Sequence, residues 1–126
     1  MLLQEYLSGV ETEGELSAIW IDGTITHAVQ KVPVPGDYRV QDDWGATDHP
    51  IAIDQVREPA EAVLAAARAL LEDEIVYARV DFLRDNQGQL RLTELELVEP
   101  SLFFRHGPTA ADALAEAVAR RLGFAP

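Results

Sequence analysis

"VYARVDFLRDNQGQLRLTELEL", Val76 to Leu97, contains two runs of alternating polar and apolar residues around a turn-forming centre. The runs predict two antiparallel strands, with the hairpin turn at Asp85 to Gly88. If Arg84 pairs with Gln89 across a four-residue loop, Phe82 faces Arg91, Asp81 faces Leu92 and Arg79 faces Glu94. Side chains alternate along a strand, so Asp81, Glu94 and Glu96 then share one face. Val76, Ala78, Val80, Phe82, Leu95 and Leu97 share the other, as a core face would. In this register Asp81 and Glu94 are diagonal neighbours, within reach of one cation. The expectation depends on loop parity. A loop of odd length would flip one strand and part Asp81 from the glutamates.

Carboxylates packed this closely repel one another, so either water screens them or a cation sits among them. With no cysteine and no suitably spaced histidine, they are hard oxygen ligands, suited to Mg²⁺ or Mn²⁺ rather than zinc or copper. Mg²⁺ takes one or two carboxylates and binds substrate phosphates as well, so the set could hold a metal–nucleotide complex. Spacing alone favours a plainer reading, a solvated strand end with Glu94 paired to Arg79.

On the N-terminal side, "LLQEYL" (2–7) reads as a short strand and "SGVETEGE" (8–15) as a polar loop. "ELSAIWIDGTITHAVQKV" (15–32) predicts a hairpin in which Leu16, Ala18 and Trp20 alternate with Ser17, Ile19 and Ile21. Its Asp22-Gly23 pair is one that a type I′ turn prefers. "PVPGDYRVQDDWGATDHP" (33–50) is a long loop, and long loops in compact domains are often functional. Pro59 is expected to open a helix running to about Glu72, with Ala60, Val63, Leu64, Ala67, Leu70 and Leu71 as its apolar stripe. A final helix is expected from Thr109 as N-cap, with Leu114, Val118 and Leu122 inward and Gly123 past its end. The order predicts an α+β fold, an antiparallel sheet with helices on one face, in a single domain spanning 1–126.

With 126 residues, 48% of them apolar and 25% charged, the chain is long enough for one packed core and too hydrophobic for disorder. The net charge of −12 repels phosphate backbones and argues against nucleic-acid binding, though not against a nucleotide brought with metal ions. Apolar runs are too short to span a bilayer, and no signal-peptide pattern follows Met1, so the expected setting is cytoplasmic and soluble. His27, His49 and His106 are too scattered for a helical metal motif and are expected to serve structure or surface. Ser101 lacks the glycines of a nucleophile elbow.

The hairpin from Val76, extended through "VEPSLF", resembles the metal-binding end of the ATP-grasp carboxylate–amine ligases. Their pattern is Arg-x-Asp on one strand, a turn with glycine, then Glu-x-Asn or Glu-x-Glu on the next. Here it falls on Arg79, Asp81, Glu94 and Glu96. The resemblance implies that Asp81, Glu94 and Glu96 hold one or two Mg²⁺ (or Mn²⁺) on the phosphates of ATP. It also implies that Arg79 stabilises charge on the transferring phosphoryl group or acyl intermediate. "LLQEYLSGVETEGELS" is similar to the segment that holds adenine in these enzymes. That likeness implies adenine contacts from Gln4, Glu5, Tyr6 and Leu7, and a ribose contact from Glu11. Lys31 resembles a basic residue near the phosphates. "PGDYRVQDDWGAT" resembles the family's loop over the acceptor site, with Arg39 as its contact, but has Gly45-Ala46 where relatives commonly have two glycines. Glu96 stands where many members have asparagine.

The likeness covers nearly the whole chain but only the C-terminal part of the family's fold. The N-terminal domain and the small phosphate-binding lobe have no counterpart here, and no G-x-x-x-x-G-K-[ST] motif is present. The chain is therefore expected to be one lobe of an ATP-dependent carboxylate–amine ligase, inactive alone and needing a missing lobe or partner chain. Its substrates would be ATP and a carboxylate–amine pair, and its uncovered surface is expected to drive homo-oligomerisation. The alternatives are a nucleotide-binding remnant without catalysis and a non-catalytic acidic α+β interaction module.

Overall fold

The computed structural model describes residues 1, 3–40 and 44–124. Leu2 of the first expected strand, and Gln41, Asp42 and Asp43 of the long loop, lie outside the described residues. Two hairpins form the sheet. The first joins β1 (Glu15–Ile21) to β2 (Thr24–Val32), and the second joins β4 (Tyr77–Arg84) to β5 (Leu90–Glu96). A short edge strand, β3 (Thr47–Ile51), completes the order β3-β2-β1-β4-β5, antiparallel throughout. α1 (Gly9–Thr12), α2 (Arg57–Leu70) and α3 (Pro108–Arg121) are the helices. None of the described helices is long and apolar enough to cross a membrane.

β1 is central because it is apolar on both sides, and all seven of its residues are buried. Leu16, Ala18 and Trp20 meet Ala78, Val80 and Phe82 of β4 beneath α2, which contributes Ala60, Leu64 and Ala67. Ile19 and Ile21 point the other way and pack with Val29, Phe103 and Ala110 under α3. Burying an Ile or Phe side chain such as Ile19 or Phe82 is worth roughly 1.5–3 kcal/mol, so these two layers hold the sheet together. The α+β class and the antiparallel sheet stand as expected, with one adjustment. Only α2 covers the first face, because Ile19 and Ile21 make part of the second face apolar and α3 covers that part.

Both hairpins carry a β-bulge. In the first, Asp22 and Gly23 have φ of 47° and 99°, both positive as a type I′ turn requires, and Ile21 faces Thr24. Trp20 faces Ile25, but Ile19 then faces His27, so Thr26 is an extra residue in β2. In the second, Arg84 faces Leu90, which leaves a loop of odd length, Asp85 to Gln89. The Asp85 carboxylate closes it by accepting from the backbone N–H of Gln87 and Gln89. The expected Arg84–Gln89 pairing is therefore corrected. Phe82 faces Leu92, but Asp81 faces Glu94, so Thr93 is the extra residue in β5.

Several further expectations are corrected. Residues 3–7 are not a strand. Among the described residues no strand pairs with them, and Asn86 binds the segment instead, its amide N–H donating to the Glu5 carboxylate and the Tyr6 carbonyl. The polar loop that follows contains α1. The long loop contains β3, whose Pro50 is tolerated because an edge strand leaves one side of its backbone unpaired. α2 starts at Arg57, which puts Pro59 within the first turn, where its missing N–H costs nothing, and it ends at Leu70. Leu70 and Leu71 of its expected stripe are exposed. α3 starts at Pro108, preceded by Gly107, so Thr109 is inside the helix and not its cap. Its inward residues are Ala110, Ala113, Leu114 and Ala117, while Val118 and Leu122 are exposed.

Candidate functional site

On the α3 side of the sheet, the half that the helix leaves uncovered is polar. Directly opposed strand residues point to the same face, so the pairs Lys31–Glu15, Asp81–Ser17, Asp81–Glu94 and Arg79–Glu96 bring these side chains together. Asp81 lies on the floor, fully buried. It accepts from Ser17 Oγ at 2.5 Å and from Arg79 Nε at 2.9 and 3.1 Å, and Lys31 Nζ stands 3.5 Å away. Lys31 also pairs with Glu15 at 2.6 Å, and Glu15 accepts from the hydroxyl of the bulged Thr93 at 2.7 Å. A terminal nitrogen of Arg79 reaches Glu96 at 2.5 Å and Glu94 at 3.4 Å.

Arg79 thus answers the repulsion among the three carboxylates. It is almost fully buried, and burial works against its charge. Asp81, Glu96 and Glu94 outweigh that effect and raise its pKa above the ordinary value. The three acids converge on a single guanidinium, and their oxygens are the donors that Mg²⁺ or Mn²⁺ prefers. The donor set fits such an ion, provided Arg79 gives way. With Arg79 between them, no three acidic or histidine side chains among the described residues stand ready as a metal-ligand group.

Beside this network lies a cavity of about 450 Å³, lined by Gln4, Glu5, Tyr6, Leu7, Tyr38 and Val40 among others. Glu15 and Thr93 also line it, so it opens onto the charged floor. The N-terminal segment covers it, and Tyr38 and Val40 bring the chain after β2 against it. Glu11 does not line the cavity. It accepts a hydrogen bond from the Tyr6 hydroxyl, which raises the pKa of that phenol. Arg39 stands apart from the carboxylates. Asp37 grips its guanidinium at 2.6 to 3.1 Å, and the Trp44 ring lies 3.6 Å beneath it. The same hydrogen bonds hold the Asp37 carboxyl well below the usual carboxylate range.

The segment after β5 crosses this face from one sheet edge toward the other. His27 donates from Nε2 to the Leu102 carbonyl at 2.8 Å, and Asp48 of β3 accepts from Arg105 and His106. A side chain at Gly107 would place its Cβ 2.3 Å from His27 Nδ1, so only glycine lets the segment lie this close. His27 and His106 are both structural in this arrangement.

Ser17, Glu15, Thr93, Tyr38, Val40 and Leu83 belong to the site or its cavity and were not foreseen. Ser17 was legible in principle, as a polar residue on an otherwise apolar central strand. Thr93 and Glu15 were not, because the bulge that unites them leaves no mark in the residue pattern.

No protein-family model matches the chain. A curated relative, the cycloserine biosynthesis protein DcsG of Streptomyces lavendulae, is 34% identical over 97% of this chain and 42% of its own length. The crystal structure of D-cycloserine synthetase DcsG superposes with a TM-score of 0.76 at 32% identity, over 94% of this chain and 41% of that one. The ATP-grasp ligase PsnB, solved with a minimal precursor, matches 91% of this chain and 37% of its own with a TM-score of 0.53. At 24% identity, that second likeness speaks to fold alone. The chain spans about two fifths of the length of the relatives it matches. It has the fold of part of an ATP-grasp ligase.

Proposed function

We propose that the chain is the nucleotide- and metal-holding lobe of an ATP-dependent carboxylate–amine ligase that works through an acyl phosphate. The observation that carries this reading is the convergence of Asp81, Glu94 and Glu96 on one buried guanidinium, beside a cavity lined by Gln4, Glu5, Tyr6 and Leu7. Adenine enters the cavity against Tyr6, Leu7, Tyr38 and Val40, and Glu11 turns from Tyr6 to the ribose hydroxyls. Lys31 contacts the phosphates. Asp81, Glu94 and Glu96 hold Mg²⁺ or Mn²⁺, which would supply charge neutralisation at the phosphate oxygens.

In the reaction, a substrate carboxylate oxygen attacks the γ-phosphorus and ADP leaves. An amine then displaces phosphate from the acyl carbon. The chain contributes orientation and positive charge and needs no side-chain nucleophile. Arg79 faces the transferring phosphoryl group. Arg39 faces the acyl phosphate after exchanging Asp37 for it.

Turnover requires a second lobe, since more than half of each relative lies outside the match. Leu70, Leu71 and Leu92 are exposed along a groove between α2 and β5. That groove is the surface such a lobe, or a second copy of this chain, would cover. The use of ATP is consistent with a cytoplasmic setting.

Calorimetry with Mg²⁺ and ATP tests the reading. Binding is expected for the wild-type chain and is expected to disappear in Asp81→Asn and Glu94→Gln variants that retain their fold. Undiminished binding in both variants would refute it and leave an acidic module whose charges serve only structure. The observation favouring that second reading is Arg79 itself, which already satisfies all three carboxylates.

A further inference from the structure

We infer that the site rejects a free divalent ion and accepts one only together with a polyphosphate, because Arg79 and Lys31 neutralise it from within. The inference rests on the ligase reading and adds an order of events to it. The floor carries the four acids Glu15, Asp81, Glu94 and Glu96 and the two cations Lys31 and Arg79. Each cation is spent on more than one acid. Arg79 binds Asp81, Glu94 and Glu96, while Lys31 binds Glu15 and stands against Asp81.

A hydrated metal ion arriving alone must enter beside two fixed positive charges and displace Arg79 from its partners. Arg79 and Lys31 are each only 9% exposed, so neither head group can be released into water without leaving the sheet surface. A displaced guanidinium would stay close to the ion and oppose it. A polyphosphate removes this obstacle. Its oxygens offer Arg79 a planar, two-pronged acceptor and offer Lys31 a point anion, so both cations exchange carboxylate for phosphate without losing a partner. Asp81, Glu94 and Glu96 are then released to a metal already carried by the same phosphates. Ser17 and Thr93 keep Asp81 and Glu15 in place during the exchange, since their hydroxyls depend on neither cation. The charge pairs therefore make the site selective for a metal–nucleotide complex.

The test measures Mn²⁺ binding by calorimetry or electron paramagnetic resonance on the whole chain, with and without a non-hydrolysable ATP analogue. Wild type should bind free Mn²⁺ at least about tenfold more weakly than it binds the Mn²⁺–analogue complex. Arg79→Gln and Lys31→Gln, checked for folding by circular dichroism, should each tighten free Mn²⁺ binding by about tenfold or more. Both should weaken binding of the complex. If a folded variant shows free-metal affinity unchanged or reduced, the inference is overturned, while the ligase reading survives on wild-type binding of the complex. The Lys31 variant keeps the test decisive should Arg79→Gln fail to fold. If wild type binds neither the free ion nor the complex, the ligase reading and the inference fall together.

Discussion

The two hairpins solve the same problem in settings of opposite strictness. β1–β2 turns tightly through Asp22-Gly23 and lies between other strands, whereas β4–β5 turns through a longer loop and ends at the sheet edge. Each inserts one threonine, Thr26 in β2 and Thr93 in β5, and each insertion flips the rest of its strand. With Thr26 paired in a regular ladder, Lys31 would share a face with Leu16 and Ala18 in the apolar core. With Thr93 paired in the same way, Glu94 and Glu96 would point under α2. The polar floor exists because both strands are flipped together. A charged site can be built on a sheet with two hydrophobic layers by shifting register part-way along two strands.

The comparison can be broken most severely by inserting one alanine after Thr26. That change drives His27 and Lys31 toward the α2 core and pulls the fully buried Val29 out of its layer, and the chain should fail to fold cooperatively. A cooperative transition by circular dichroism would show that β2 can slip back into place. The same insertion after Thr93 should do less, because Leu95 and Leu97 are only partly buried. Their loss from the core predicts a stability decrease of about 3 kcal/mol, read from the urea midpoint. An equal effect from the two insertions would contradict the contrast between centre and edge.

His27 gives a finer probe of the first hairpin. Burial lowers its pKa, partly offset by hydrogen bonds to the backbone at Leu102 and Phe103, with His106 lowering it further. The unfolded chain therefore takes up the proton more readily. The stability His27 contributes is complete above about pH 6.5 and is lost as pH falls toward the depressed folded-state value. Between pH 7 and 5 the wild type should lose more stability than His27→Asn does. Parallel losses in the two proteins would remove this role. The smallest effect is expected from Thr93→Val, which keeps the bulge and removes only the hydrogen bond to Glu15, costing about 0.5–1 kcal/mol.

Much of this architecture was legible from alternation and turn residues. The two hairpins and the two long helices follow from them. The hairpin register did not follow. The expected even loop and the absence of a bulge were both incorrect, and the two departures cancel for residue facing. The odd loop alone would have parted Asp81 from the glutamates, and Thr93 brought them back as direct partners, where a diagonal contact was expected. The N-terminal segment and β3 were misread for a related reason. Whether a short apolar run becomes a strand depends on whether a neighbouring strand is there to accept its hydrogen bonds.

By itself, the order of residues determined which side chains alternate, where the chain can reverse and that acids crowd within one hairpin. Local sterics and like-charge repulsion act over a few residues and are written in the pattern. The tertiary structure alone decided that one guanidinium, Arg79, answers three of them, and which loop and strand complete the cavity. Those choices depend on register between strands far apart in sequence, and one inserted residue reverses them while leaving local propensity almost unchanged.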